Sequence, residues 1–282
     1  MRTLVLGANG QLGQDLVHAF QAAGEARGFG RAEVDVCDEE SLHRAMADFS
    51  PDLILNAAAY TNVDGAEDDL EQAFMTNEAG ARHVAEVAAY REIPVVYFST
   101  DYVFGNAKVS PYEVDDHLAP LGVYGASKSA GESAVRKLCP QHFIIRTAWL
   151  YGAGGDNFVE KILRAAATRP VLKVVEDEVG CPTYTKDLAE ATFYLVRTRH
   201  YGTYHIVNGG SCSRYEQARA IAQIAELPVE ITPCSSAEFQ TKAARPHYSV
   251  LSTDAYERAT GHVMRPWKDA LMDYLQHREE KV

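Results

Sequence analysis

The chain has 282 residues, 46% hydrophobic and 23% charged, with a formal net charge of −12, which suits a globular protein with a sizeable core. No basic run or Lys/Arg-rich arm occurs, so a nucleic-acid partner is not expected, and any phosphorylated ligand must be met by cations gathered locally. Without a run of ~18 apolar residues, with only residues 1–6 ahead of Gly7, and with five scattered cysteines, the chain is expected to be cytoplasmic, reduced and free of the membrane.

Residues 3–6 read as a short buried strand, and residues 11–23 as a helix with Leu12, Leu16, Ala19 and Phe20 on one face. Between them lies Gly7-Ala8-Asn9-Gly10-Gln11-Leu12-Gly13. Glycines there let backbone N–H groups approach a pyrophosphate at the helix N-terminus, where the dipole favours negative charge. The spacing is one residue longer than the usual dinucleotide fingerprint, and outside a strand–helix setting it would be an ordinary glycine-rich turn. A second strand is expected near residues 26–31, and Ser41 is expected to cap a helix reaching about Phe49. Leu53-Ile54-Leu55 reads as a buried strand ending in Asn56-Ala57-Ala58-Ala59, residues 70–90 as helical, and residues 95–98 as a strand leading into Ser99-Thr100-Asp101. Residues 124–138 read as a helix and 142–146 as a strand.

This alternation predicts an α/β fold: a Rossmann-type, doubly wound parallel sheet covered on both faces. Ligands bind beyond the carboxyl ends of such strands, where Gly7, Asn56 and Thr100 fall. After Trp149 the pattern loosens. Helices are expected at 158–167, 186–198, 215–225 and 271–278, extended segments at 204–207 and 228–232, and a loop with one helical turn at 233–246. The expected division is a cofactor domain over residues 1–150, with later sheet elements from about 172–210, and a smaller, interleaved C-terminal substrate-binding lobe over 151–282.

Tyr124 and Lys128 stand four apart and share a helix face. There an ammonium is expected to lower the phenol's pKa and make Tyr124 a proton donor near neutral pH. Thr100, at a strand's carboxyl end, is placed to donate a hydrogen bond to a substrate carbonyl oxygen, although a Thr there also caps turns. Asn77 is a candidate to connect to Lys128, against the plainer reading of a solvent-facing helix residue. At the end of the second strand, Arg27-Gly28-Phe29-Gly30-Arg31 has no carboxylate before Arg31, which therefore can meet a ribose 2′-phosphate without competition. NADPH is the expected cofactor and NADH the alternative, with Asp35 and Val36 near the adenine.

Together these residues resemble the extended short-chain dehydrogenase/reductase superfamily. Further segments narrow the likeness: Asn56-Ala57-Ala58-Ala59-Tyr60-Thr61-Asn62-Val63-Asp64, Ser99-Thr100-Asp101-Tyr102-Val103-Phe104, Arg146-Thr147-Ala148-Trp149-Leu150-Tyr151-Gly152, Gly180-Cys181-Pro182-Thr183 and Arg245-Pro246. The set is similar to the dTDP-4-dehydrorhamnose reductase family over nearly the whole chain. The resemblance implies reduction of the C4 keto group of a dTDP-4-dehydro-sugar, in the last step of dTDP-L-rhamnose synthesis. It implies a catalytic trio of Thr100, Tyr124 and Lys128, and cofactor contacts from Gly7, Asn9, Gly10, Gln11, Leu12, Gly13, Arg31, Asp35, Val36, Ala57, Ala58, Ala59, Tyr124 and Lys128. By the same carry-over Thr100, Asp101, Tyr102, Val103, Trp149, Asn157 and Arg245 lie near the sugar nucleotide. Read from the residues alone, Trp149 could equally be core, Asn157 a helix cap and Arg245 the partner of a surface carboxylate.

Gly30 stands where many members of that family carry Asp, which makes dual use of NADH and NADPH less expected. Some members bind a metal at a dimer contact through glutamates; only Asp15 stands near such a position, so no metal is assigned and a homodimer is left open. Three alternatives remain. A reductase of another dTDP-4-keto-6-deoxy sugar would resemble this chain closely. A sugar-nucleotide dehydratase or epimerase would share the scaffold, but Tyr102 occupies the place of the dehydratases' Glu. A non-catalytic regulatory relative would not need the intact Thr100, Tyr124 and Lys128.

Overall fold

The structure is a computed structural model and describes residues 1–278. The first half runs β1 (Arg2–Leu6), α1 (Gln11–Gln21), β2 (Glu25–Phe29), α2 (Glu39–Phe49), β3 (Leu53–Asn56), the short α3 (Val63–Ala66) and α4 (Leu70–Phe74). A π turn at Met75–Gly80, α5 (Ala81–Tyr90), β4 (Val95–Thr100), α6 (Val123–Leu138) and β5 (His142–Thr147) follow. Strands β3 and β4 are buried at every position, as expected of parallel strands with both faces covered. The cap of α2 differs from the sequence expectation. Asp38 accepts the N–H of Glu40 at 3.0 Å, while Ser41, inside the helix, turns its hydroxyl back on the carbonyls of Asp35 and Asp38. A carboxylate one turn earlier meets the helix's free N–H groups, so the serine is not needed there.

The second half contains β6 (Leu150–Tyr151), α7 (Phe158–Ala166), β7 (Val171–Val175), β8 (Val179–Gly180), β9 (Thr183–Tyr184), α8 (Thr185–Thr198) and β10 (Gly202–His205). It ends with β11 (Cys212–Ser213), α9 (Arg214–Ile224), β12 (Glu230–Cys234), α10 (Asp254–Thr260) and α11 (Trp267–His277). The two-residue strands and α10 left no sequence signal, because such short pieces show no periodicity.

The main sheet has the order β10-β5-β4-β3-β1-β2, parallel throughout. The chain reverses its direction of winding between β1 and β3, and that switch opens a crevice at the carboxyl ends. One face is packed by α2, α5 and α6 through Leu42, Met46, Val84, Ala88 and Val135. The other is covered by α1 and α8 through Leu16, Phe20, Leu188 and Leu195. Within 172–210 the chain contributes β10 to this sheet, whereas β7 pairs with β12 in a separate two-stranded ribbon. That ribbon, α7, α9 and α11 enclose their own core around Val159, Leu172, Ile221, Trp267 and Leu271. Among the described residues no helix is long and apolar enough to cross a membrane.

Long-range polar contacts join the two halves. Ser249 donates to Asp101 at 2.6 Å, Thr185 to Asp15 at 2.6 Å and Asn157 to Gln11 at 2.9 Å. Asp64 accepts from the Ala243 N–H at 3.0 Å and from the Arg245 guanidinium at 2.9 Å. Asp15 is thus a buried partner of α8.

Candidate active site

A cleft of about 1280 Å³ lies over the carboxyl ends of β1, β3, β4 and β5. Its size exceeds the ~300–1,000 Å³ of a usual small-molecule pocket, leaving room for two ligands side by side. On the α1 side the backbone sets the shape. Gly7 has φ +76°, and a Cβ there would come within 2.6 Å of the Ala58 nitrogen; a Cβ on Gly13 would lie 2.2 Å from the Gly7 carbonyl oxygen. Helix α1 begins at Gln11, after the N-cap Gly10, with no side chain capping its first turn, so the N–H groups of that turn stay available to an anion. Ser99 Oγ and Thr147 Oγ1, both buried on the cleft lining, have no hydrogen-bond partner among the described residues. An uncapped helix start, a glycine cradle and two orphaned hydroxyls fit a dinucleotide. Asn9, Gln11, Leu12, Ala57 and Ala59 line the same wall with Gly7, Gly10, Gly13 and Ala58.

Beyond β2, Arg31, Asp35 and Val36 also line the cleft. Here an expectation is corrected. Arg31 does meet a competing carboxylate, from one turn downstream: its Nε lies 3.2 Å from Asp35 Oδ2. Burial works against the Asp35 carboxylate, but the Cys37 N–H and the Arg31 guanidinium hold its pKa below the usual value. Arg31 remains 72% exposed, so the pair is weak and a phosphate can replace it. At position 30 a Cβ would lie 2.2 Å from the Asn9 amide nitrogen, so glycine leaves Asn9 its place.

Helix α6 starts at Val123 and carries Tyr124 and Lys128 on the face toward the cleft. The expected lowering of the Tyr124 pKa by Lys128 is not found. Burial pushes the Tyr124 phenol well up, with Thr100's hydroxyl beside it pulling only part of the way back. Burial also brings Lys128 down to about 7, opposed by the carboxylate of Glu132. The ammonium is too poorly solvated to act as a fixed positive charge, and it lies 4.1 Å from the Tyr97 ring centre. Thr100 donates to Asp101 Oδ1 at 3.0 Å and accepts the Tyr102 N–H at 3.2 Å. It is therefore both a turn cap and a wall of the cleft, and its proton must be re-aimed to serve a substrate. Burial raises the Asp101 pKa, with Ser249 and Thr100 hydrogen bonds opposing. Tyr102 packs edge-on against Tyr124, with ring centres 5.8 Å apart.

Asn77 is fully buried in the π turn rather than solvent-facing. Its amide accepts the Tyr60 N–H at 2.9 Å and donates to Ser127 at 3.0 Å, tying the β3 loop to α6 beside Lys128. Val103 does not reach the cleft: it is 0% exposed and packs with Phe104, Tyr112 and Val207. The short helical turn after Thr100 points Asp101 and Tyr102 toward the cleft and Val103 into the core. Trp149, Asn157 and Arg245 all line the cleft. Asn157 also caps α7, accepting the Glu160 N–H at 3.1 Å. The Arg245 guanidinium is paired with Asp64.

Among the residues that escaped the sequence reading, two stand out. Glu132 continues the stripe of Tyr124 and Lys128 by one turn, and that i, i+4 spacing was the available signal. It is fully buried and forms a two-pronged pair with Arg146 of β5, at 2.9 and 2.7 Å. Arg214, at the start of α9, lines the cleft from the far side, and no local spacing announced it.

A family profile described as "RmlD substrate binding domain" matches residues 1–280. The chain is 42% identical over 278 residues to the spore coat polysaccharide biosynthesis protein SpsK of Bacillus subtilis, covering 98% of each. It is 38% identical to a dTDP-4-dehydrorhamnose reductase of Mycolicibacterium smegmatis, over 96% of this chain and 84% of that one. The crystal structure of a dTDP-4-dehydrorhamnose reductase of Bacillus anthracis in complex with NADP superposes with a TM-score of 0.94 at 37% identity, covering 98% of this chain and 99% of that one.

Proposed function

The chain belongs to the RmlD substrate-binding-domain family, and from that premise we propose that it reduces the C4 keto group of dTDP-4-dehydro-L-rhamnose, giving dTDP-L-rhamnose. It is an NADPH-dependent oxidoreductase of the Rossmann type. The observation that carries the reading is one continuous cleft in which the Gly7–Gly13 cradle, the Thr100–Tyr124–Lys128 group and the second-half arginines meet.

The glycine loop and the start of α1 would hold the pyrophosphate, and Arg31 the 2′-phosphate. When bound, NADPH supplies the hydride for C4. Tyr124, kept protonated by burial, gives its proton to the oxygen that gains charge. Thr100 fixes that oxygen once its hydroxyl turns from Asp101. Lys128, titrating at about 7, returns a proton toward the phenol, and Glu132 behind it favours the charged form. Holding both reactants in one cleft supplies orientation as well as proton transfer. The residues up to 150, joined by α8 and β10, form the cofactor side in this reading, and the β7–β12 ribbon with α7, α9 and α11 the sugar-nucleotide side. Substrate and cofactor are both phosphorylated metabolites, which suits a cytoplasmic enzyme. A dehydratase role has less support, because Asp101 is tied to Ser249 and Thr100 and has Tyr102 for a neighbour.

The test is a coupled assay with dTDP-4-keto-6-deoxyglucose, a 3,5-epimerase, this protein and either NADPH or NADH, followed by absorbance and by NMR of the sugar. Formation of dTDP-L-rhamnose, faster with NADPH, is expected; a different C4 epimer, or no oxidation of NADPH, sinks the assignment. Tyr124→Phe is expected to lower kcat by about 10²–10⁴ with NADPH affinity unchanged.

A further inference from the structure

Thr100 has a single hydroxyl proton, and Asp101 holds it: the hydroxyl donates to Asp101 Oδ1 at 3.0 Å. One lone pair of the same oxygen takes the Tyr102 N–H at 3.2 Å. Reduction of a ketone needs the Thr100 proton on the carbonyl oxygen as charge gathers there. Asp101 and the substrate oxygen therefore compete for it, and the strength of Asp101 as an acceptor sets the outcome.

The other oxygen of that carboxylate is filled from the second half of the chain. Ser249 donates to Asp101 Oδ2 at 2.6 Å, a short bond of the charge-assisted kind. Both residues are buried, so little water shares the charge. Ser249 is itself pinned by the backbone. Its N–H meets the Val179 carbonyl at 2.9 Å, and the carbonyl of the next residue, Val250, takes the Tyr112 N–H at 2.8 Å. A donor fixed in this way draws negative charge toward Oδ2 and leaves Oδ1 the weaker acceptor. The other ionisable groups that face Asp101 are Arg214 from α9, Tyr124 from α6, the adjacent Tyr102, and Cys181 just after β8. Ser249 and Thr100 are the side chains that hydrogen-bond its carboxylate.

Resting on the reductase reading above, we propose that Ser249 is a positioning residue for the reduction: by binding Asp101 Oδ2 it loosens the hold of Asp101 on the Thr100 proton, which then turns to the ketone oxygen. Asp101 spends both oxygens on the protein, and its part in the reaction passes through Thr100.

The experiment measures kcat at pH 5 and pH 9 for the wild type, Ser249→Ala, Asp101→Asn and the double variant, with dTDP and NADPH affinities alongside. Ser249→Ala is expected to lower kcat by about tenfold at pH 9, with both affinities unchanged. Burial raises the Asp101 pKa and the Ser249 bond opposes that rise, so without Ser249 the carboxyl takes up a proton at higher pH than in the wild type. A protonated Asp101 no longer draws the Thr100 proton, and the deficit of Ser249→Ala therefore shrinks toward none at pH 5. Comparing the two proteins at each pH cancels the titration of Lys128 and Tyr124. The neutral amide of Asp101→Asn pulls on Thr100 less than a carboxylate does. That variant alone is expected to keep kcat within about a few-fold of wild type, and the double variant to recover most of what Ser249→Ala loses. Wild-type kcat in Ser249→Ala at pH 9, a deficit equal at both pH values, or losses that multiply in the double variant each overturn the assignment. So does an Asp101→Asn variant that binds both ligands and has lost activity. All of these leave the reductase reading intact; a wild type that oxidises no NADPH with the dTDP-4-dehydro-sugar overturns the reading itself, and the assignment with it.

Discussion

Across the cleft, the α1 side offers a ligand mostly backbone, whereas the side made by α3, α9 and the β7–β12 ribbon offers mostly side chains. On the first side, glycines and an uncapped helix start follow directly from consecutive residues of one strand–loop–helix unit. On the second side, Trp149, Arg214, Glu178 and Arg245 come from four separated segments, and partners such as Asp64 and Gly180 hold them. A site of the first kind is fixed by sterics that one methyl group disrupts. A site of the second kind depends on pairs that assemble only when the chain has closed on itself. Helix α6 stands between them and belongs to both, since it carries Tyr124 and Lys128 and is anchored to β5 through Glu132 and Arg146.

The largest way to break this arrangement is to cut that anchor. Glu132→Ala leaves Arg146 buried without its counter-charge, and a loss of about 3–5 kcal/mol in urea-unfolding stability is expected. A variant as stable as wild type would show that the pair does not hold α6. Next, Gly13→Ala drives a Cβ into the Gly7 carbonyl, and since both partners are backbone neither can give way cheaply. NADPH affinity is expected to fall by roughly a hundredfold or more while dTDP binding holds, by analogy with other mispositioned ligand contacts; parallel losses would erase the distinction between the two sides.

Lys128→Met tests the cost of the buried lysine. Its folded pKa of about 7 lies below its unfolded value, so the unfolded chain binds more protons between about 7 and the usual lysine range. The penalty is therefore complete below pH 7 and fades as the pH rises through that window. The variant is expected to lose activity yet gain Tm over wild type, with a larger gain at pH 6 than at pH 9. An equal difference at both pH values contradicts the assigned titration.

The smallest effect is on the tethered side. Asp64→Asn removes the charge partner of Arg245 but keeps an acceptor, and KM for the sugar nucleotide is expected to rise by about tenfold or less. NADPH affinity should not move; if it does, the tether serves both sides.

What the sequence alone determined was whatever sits within one local unit. The strand–glycine–helix start, the all-buried β3 and β4 and the Tyr124–Lys128 spacing are each set by neighbours within a few residues, so periodicity and turn chemistry reveal them. Tertiary structure alone decided the rest. It turned Val103 into the core while its neighbours Asp101 and Tyr102 face the cleft, because the three follow one another around a single helical turn. It brought Asp64 against Arg245 and Arg214 onto Trp149. It raised the Tyr124 pKa, which the spacing to Lys128 predicts to be lowered, because that pKa depends on how much water the closed chain excludes, a quantity no spacing along the sequence encodes.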